Sequence, residues 1–180
     1  MTPDAFPISR PVAVADLIRE ARQDIVIDAT AGERAALAEY LGVLAVGMVQ
    51  ARLTARAQPG RRFVLEGRVR ASLTQTCVVT LEPVAEEIDA VLHRVYEDAP
   101  AGEDGEDNLI DPFDEDLPEP VDGGVIDAGA AVCELIALEM SPYPRREGAE
   151  PLENKAATPP EESAASHPFA ALSKLRKTPD

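Results

Sequence analysis

Five arginines in this chain are spaced so that they could share one surface and bind phosphate groups. Between residues 43 and 76 the hydropathy alternates with period two on both sides of Pro59-Gly60, with apolar residues at odd positions. The arginines all stand at even positions: Arg52, Arg56, Arg62, Arg68 and Arg70. Glu66 is the only acid among those even positions. Because a guanidinium presents a planar fork of donors that matches phosphate, this face is a candidate RNA-binding surface.

An ordinary hydrated sheet face is the alternative interpretation, since arginine is also common on exposed strands. The even positions carry no aromatic residue of the kind on which single-stranded RNA stacks. Any RNA bound by this face would therefore be bound through its backbone and its shape.

Residues that could perform catalysis or hold a metal are few and scattered. The thiols and imidazoles are Cys77, His93, Cys133 and His167. A zinc site needs about four ligands at suitable spacing, and these four fall on different predicted elements, so we expect no metal or other cofactor. The cysteines are expected as free thiols that fill the core. With no clear nucleophile beside His93, we predict neither an enzyme nor a small-molecule substrate.

The negative charge of the chain is concentrated in one segment. The formal net charge is -16, yet residues 97–122 hold twelve acids and no base, which leaves the remainder only mildly acidic. This segment is rich in Pro, Gly and charge, so we predict a mobile acidic loop. The loop is either a solubilising linker or an attachment site for a very basic partner protein.

Two helices are predicted from capping signals. Thr30 and Glu33 form a capping box at the start of the first helix, and Gly42 is suited to end it. Asp127 can cap a second helix over residues 128–140. Its apolar stripe would consist of Ala131, Val132, Leu135, Ile136 and Leu138.

Strands are predicted for residues 24–28 and for the two halves of a hairpin around Pro59-Gly60. Both apolar faces of the hairpin point the same way only if its loop holds three or five residues or contains a bulge. A three-residue loop at 58–60 would place Arg52 opposite Glu66 and Arg56 opposite Arg62. Residues 84–96 fit either a helix or a strand, and we favour a strand that joins the hairpin.

These elements predict an α+β fold in which one antiparallel sheet, built around the hairpin, is packed by two helices. Residues 1–146 would form a single domain and 147–180 a flexible tail. Within the tail, residues 168–177 carry apolar side chains at a spacing of three: Phe169, Leu172 and Leu175. They would either bind a groove on a partner as a short helix or belong to a frayed terminus. The chain starts without signal-peptide features and has no long apolar run, so we expect a cytoplasmic protein without membrane contact.

Several short motifs, taken in order along the chain, resemble the YceD family, especially its alphaproteobacterial members. The first runs from Cys77 through Leu81-Glu82-Pro83, the second is Ile126-Asp127, the third begins at Glu134, and the fourth is Pro142-Tyr143-Pro144. The tail sequence Pro168-Phe169-Ala170-Ala171-Leu172 is similar to the ending of such members. Many members carry a second cysteine three residues after the first, whereas this chain has Thr80 there, which makes metal binding doubtful.

The resemblance implies a bacterial factor for accumulation of large-subunit (23S) rRNA in ribosome biogenesis, and it transfers no catalytic residues. We therefore expect a non-catalytic protein that binds precursor rRNA or a pre-ribosomal particle through the arginine face. The alternative is a protein-only adaptor or chaperone that captures a basic ribosomal protein with the acidic loop. A nuclease is a third reading, which divalent-ion-dependent cleavage of rRNA would reveal.

Overall fold

The computed structural model describes residues 6–98 and 118–149, which form an α+β fold with a mostly antiparallel sheet. In chain order the elements are β1 (Pro11–Ala13), α1 (Val14–Glu20), β2 (Arg22–Asp28), α2 (Ala31–Leu41), β3 (Ala45–Gln58), β4 (Arg62–Thr76), β5 (Pro83–Glu97), β6 (Glu119–Pro120), β7 (Val125–Asp127) and α3 (Ala128–Glu139). Five strands form one sheet in the order β2-β3-β4-β5-β6, and β1 pairs with β7. The predicted fold class is confirmed.

The strand interpretation of residues 84–96 is also confirmed, because β5 runs antiparallel to β4 over its whole length. Its even positions face the core, where Ile88, Leu92 and Tyr96 are buried. Those three lie four residues apart, a spacing that suits a helix as well as a strand, which explains why the sequence left both open.

In the hairpin of β3 and β4, even positions from Met48 onward pair with even positions as predicted, but the individual cross-strand partners differ from the prediction. Gln58 pairs with Arg62, so the three-residue loop is 59–61 rather than 58–60. Gly60 and Arg61 both take the left-handed conformation, which moves the turn one residue along the chain. Arg52 consequently lies opposite Arg68, and Arg56 lies opposite Val64.

Both predicted helix starts are confirmed. The Thr30 hydroxyl accepts from the Glu33 backbone N–H while the Glu33 carboxylate accepts from the Thr30 N–H, and Gly42 ends α2 in the left-handed conformation. The Asp127 carboxylate caps α3 by accepting from the N–H groups of Gly129 and Ala130 at 2.8 and 3.2 Å.

The predicted apolar stripe of α3 is wrong at one position. Ala131, Val132 and Ile136 are buried and Leu135 is partly buried, but Leu138 is 76% exposed. Leu138 follows Ile136 by two residues, about 200° around the helix, so it points away from the sheet. Cys133 is buried instead, and it is a free thiol as expected.

A third helix and a second small sheet were not predicted. The segment from Ile8 to Leu17 buries four apolar side chains in the same core as the main sheet: Ile8, Val12, Val14 and Leu17. A strand of three residues followed by a helix of seven is too short to produce a recognisable period in the sequence. Fold prediction from pattern therefore missed this part of the core.

The bounds predicted for the acidic loop, 97–122, overlap strands at both ends. Glu97 belongs to β5, and Glu119–Pro120 form β6, which pairs with β5 in parallel. Residues 99–117 lie outside the described residues, as does the tail from residue 150 onward with Phe169, Leu172 and Leu175. In the part of the chain that is described, no helix combines the length and hydrophobicity needed to cross a membrane.

Candidate nucleic-acid interface

The structure places all five predicted arginines on the solvent face of the main sheet. From Met48 onward, after a bulge in β3, even positions of β3 form this face together with even positions of β2 and β4 and odd positions of β5, because each cross-strand pair shares a side of the sheet. Odd positions such as Leu53, Leu65 and Val69 are buried on the opposite side. The side chains of Arg56, Arg62, Arg68 and Arg70 are half or more exposed.

The expectation that Glu66 alone opposes the arginines holds for the hairpin but not for the complete sheet. Four of the five arginines form salt bridges on this face: Arg56 with Glu66 at 2.5 Å, Arg62 with Glu97 at 3.5 Å, Arg68 with Asp89 at 2.5 Å, and Arg70 with Asp89 at 3.3 Å. Asp89 and Glu97 come from β5, whose register against β4 the sequence did not reveal.

Three arginines lie together at the middle of the sheet, and we define Arg52, Arg68 and Arg70 as the arginine cluster. Arg68 and Arg70 share the single carboxylate of Asp89. Arg52 forms no salt bridge among the described residues, and its cross-strand partner is Arg68. Since like charges directly opposite one another destabilise a sheet, this arrangement is not explained by sheet stability.

Asp89 fixes the orientation of Arg68. The Arg68 Nε and Nη2 groups donate to the two carboxylate oxygens of Asp89 at 2.5 and 2.9 Å, which is the bidentate geometry of a guanidinium and a carboxylate. This hydrogen bonding lowers the pKa of Asp89 and raises the pKa of Arg68. Both groups are therefore charged at neutral pH, and the guanidinium plane is held in place.

The arginine cluster lines two adjoining hollows. One, of about 280 Å³, is bordered by Gln50, Ala51, Arg52, Arg68 and Arg70. The other, of about 400 Å³, is bordered by Arg52, Thr54, Glu66, Gly67, Arg68, Val91, Leu92 and His93. Arg52 and Arg68 stand between the two hollows and belong to both. A ligand in either hollow would contact these two side chains.

Gly67 allows β3 to approach β4 at this point. A Cβ atom built on Gly67 would lie 2.1 Å from the Arg52 carbonyl oxygen and 2.8 Å from the Leu53 Cα, and φ at Gly67 is +156°. No other residue fits there without moving a strand. Sequence reasoning singled out neither Gly67 nor Asp89. A glycine within an alternating strand is the available signal for the first, but Asp89 becomes visible only with the register of β5.

The residues quoted for the family resemblance form a different cluster, which joins the turn after β4 to the chain after α3. The Cys77 N–H donates to the Glu82 carbonyl at 2.8 Å, and the Val78 N–H donates to the Pro144 carbonyl at 2.9 Å. Arg146 forms a salt bridge with Glu82. The remaining members lie in or beside these turns: Leu81, Pro83, Pro142 and Tyr143. Their arrangement supports a structural role in closing this end of the sheet.

The Cys77 thiol is buried within that cluster and accepts several hydrogen bonds. Bonds from Thr80 and from the backbone N–H groups of Arg146 and Val79 lower its pKa to about 6. Cys133 differs, because burial raises its pKa to about 11. Among residues 6–98 and 118–149, no group of three or more His, Cys, Asp or Glu side chains is arranged to hold a metal ion.

Two further residues of the resemblance, Asp127 and Glu134, lie at the opposite edge of the sheet from β2. Asp127 caps α3, and Glu134 forms a salt bridge with Arg94 at 2.9 Å. Arg94 also pairs with Glu119 at 2.6 Å, so one largely buried guanidinium links β5 to β6 and α3. These acids hold the edge of the fold together, away from the arginine cluster.

Comparison with known proteins supports the resemblance seen in the motifs. A family model described as "Large ribosomal RNA subunit accumulation protein YceD" matches residues 65–176. The matched region includes two members of the arginine cluster, Arg68 and Arg70, together with Asp89. No curated protein and no solved structure matches the chain. Because the family match spans more than half of the 180 residues, the chain belongs to the YceD family, whose description links it to accumulation of the large ribosomal RNA subunit.

Proposed function

We propose that this protein promotes accumulation of the large ribosomal RNA subunit by binding precursor rRNA, alone or within a pre-ribosomal particle, through the arginine cluster. The observation that carries the proposal is the placement of Arg52 directly opposite Arg68, where Asp89 is the one salt-bridge partner that the described residues give to the three arginines of the cluster. A phosphate bound between Arg52 and Arg68 would supply the negative charge that the sheet itself does not provide.

The charge balance differs between the ends and the middle of this face. Near the hairpin turn each arginine has its own acid, as in the pairs Arg56–Glu66 and Arg62–Glu97. Those two arginines are therefore weaker candidates for RNA contact than Arg52, Arg68 and Arg70. We propose that Arg56 and Arg62 stabilise the hairpin, while the arginine cluster contacts the RNA backbone.

We propose that the function is non-catalytic and is carried out in the cytoplasm, where ribosomes assemble. The family description names accumulation and no reaction. Thr54 and His93 are the nearest candidates for a nucleophile and a base in the second hollow. Thr54 lies on β3 and His93 on β5, with Glu66 of β4 between them, so they are two strand spacings apart, about 10 Å. The Thr54 hydroxyl donates instead to Asp24 at 2.8 Å. A nucleophile and its base need hydrogen-bond contact, so this pair does not support catalysis.

Charge reversal at the arginine cluster tests the proposal. The variant Arg52→Glu/Arg68→Glu should lose salt-dependent binding to fragments of 23S rRNA, measured by fluorescence anisotropy. Arg19→Glu/Arg145→Glu is the matched control, because both arginines are exposed and lie outside this face. In cells, the double variant should lower the amount of mature 23S rRNA, whereas the control should not. Unchanged RNA binding by the double variant would refute the proposal.

A second candidate function is the protein-only adaptor, which a groove on the other side of the sheet favours. This groove has a volume of about 520 Å³ and combines apolar residues such as Phe6 and Tyr96 with four acids: Glu119, Asp122, Asp127 and Glu134. A basic ribosomal protein would complement that charge. Capture of such a protein that survives RNase treatment, and is lost on deleting residues 103–119, would favour the adaptor over direct RNA binding.

A further inference from the structure

We infer that the arginine cluster accepts double-stranded rather than single-stranded RNA, an inference that rests on the proposed RNA-binding function. The relevant feature is a row of four residues that crosses the sheet: Val26, Arg52, Arg68 and Val91. Each member is the direct cross-strand partner of the next. The row therefore presents two arginines in its centre and one valine at each end.

Both valines are exposed on a face that is otherwise mainly polar. Val26 is 71% exposed and Val91 is 73% exposed. Neighbouring strands lie about 4.8 Å apart, so the two valines are separated by three spacings, about 14 Å. Single exposed valines are common on strands, but here they flank both sides of the arginine pair that borders the two hollows. The row thus offers an apolar contact on each side of a phosphate-binding centre.

This chemistry does not suit unpaired nucleotides. Single-stranded RNA is held on sheets by bases that stack on aromatic side chains. Among the described residues of this face, His93 is the only side chain with an aromatic ring, since the others are aliphatic, polar or charged. Arg68 is also held by the bidentate contact with Asp89. Fixed guanidinium groups favour a ligand whose phosphates are themselves in fixed positions.

An RNA duplex has the complementary features. Its wide, shallow minor groove exposes ribose and 2′-hydroxyl groups beside the phosphates, and proteins read it by shape. Arg68 and Arg70 are two residues apart on β4, about 7 Å, so they can reach successive phosphates of one strand. Val26 and Val91 would then contact the carbon edges of riboses on the two sides. Sequence-specific contacts to bases are not required.

Fluorescence anisotropy with three labelled probes tests the inference. The probes are an RNA duplex of about 20 base pairs, long enough for the ~16 base pairs that known duplex-binding domains span, either strand alone, and a DNA duplex of the same sequence. We expect the RNA duplex to bind at least about tenfold more tightly than the single strands or the DNA.

Two variants separate the valine contacts from the charges. Val26→Ser/Val91→Ser should weaken duplex binding several-fold but leave the slope of log Kd against log salt unchanged, since valine neutralises no phosphate. Arg52→Gln should reduce that slope by about one. Val78→Ser is the matched control, because Val78 is partly exposed and lies outside this face.

The outcomes distinguish this inference from the function on which it rests. Failure to bind any of the RNA probes would overturn the proposed function itself. Equal or tighter binding of the single strands, with RNA binding intact, would overturn only the duplex preference. Unchanged duplex affinity in the valine variant would overturn the contact that we assign to the row.

Discussion

Replacement of Asp89 by asparagine should increase RNA affinity, although it removes a salt bridge. Asp89 accepts hydrogen bonds from both Arg68 and Arg70, and within residues 6–98 and 118–149 it is the only acid that forms a salt bridge with the arginine cluster. Asparagine keeps the shape and one carbonyl acceptor but removes the negative charge. The number of guanidinium charges free to neutralise phosphate would rise from about two to about three.

The magnitude follows from counterion release. Each additional neutralised phosphate steepens the dependence of log affinity on log salt by about 0.7 to 0.9. At ~0.1 M salt this corresponds to an affinity about five- to eightfold higher. The assay is a salt titration of rRNA binding by the native chain and by Asp89→Asn, with both the affinity and the slope measured.

Glu87→Gln provides the matched control for that experiment. Glu87 lies two residues away on the same face of β5, is exposed, and forms no salt bridge within the described residues. It therefore makes the same change in net charge without releasing an arginine. An equal increase in affinity for both variants would mean that net charge alone is responsible. Weaker binding by Asp89→Asn, with the fold intact, would refute the view that free guanidinium charge limits binding.

The remaining predictions concern the scaffold. Gly67→Ala should destabilise the protein by more than about 2 kcal/mol in urea unfolding, because its Cβ would overlap the β3 backbone; Gly32→Ala, at a helical site with open space, should be neutral or slightly stabilising. Arg94→Met should cost about 1 kcal/mol in the same assay, since it removes two ion pairs whose glutamates are more than a third exposed. Glu33 has its pKa lowered to about 2, chiefly by the hydrogen bond from Arg10. Its contribution to the free energy of unfolding is therefore present above its ordinary pKa of 4.5 and lost as pH falls toward 2. Glu33→Gln should accordingly reduce the decrease in melting temperature that occurs between pH 4.5 and pH 2.

Local patterns predicted the parts of this structure that local interactions determine. The alternation around Pro59-Gly60 gave the two faces of the hairpin, because side chains on a strand alternate whatever the strand pairs with. The capping box at Thr30 and the cap at Asp127 were visible for the same reason, since each involves residues within one helical turn. These signals placed all five arginines on one side of the sheet.

What the sequence did not predict depends on pairing between distant segments. The hairpin register changed by one pair because Arg61 joins Gly60 in the left-handed conformation, a choice that the sequence does not specify. Asp89 became a partner of the arginine cluster only through the register of β5 on β4. The distinction between paired and unpaired arginines, on which the functional proposal depends, was therefore not accessible from the sequence.

The two described ends of the acidic segment lie away from the arginine cluster. The segment that contains most of the excess negative charge follows Glu97 of β5 and precedes Glu119 of β6. These two ends lie side by side, because Glu119 pairs with Tyr96, the neighbour of Glu97. Val91, in the same row as Arg52 and Arg68, is six residues from Glu97 along β5, about 20 Å. At physiological ionic strength the screening length is about 8 Å, so charges at those attachment points have little effect on the arginine cluster. Among the described residues, a phosphate approaching the middle of the sheet would meet Arg52, Arg68 and Arg70 first, with Asp89 paired to two of them and Glu66 beside the second hollow.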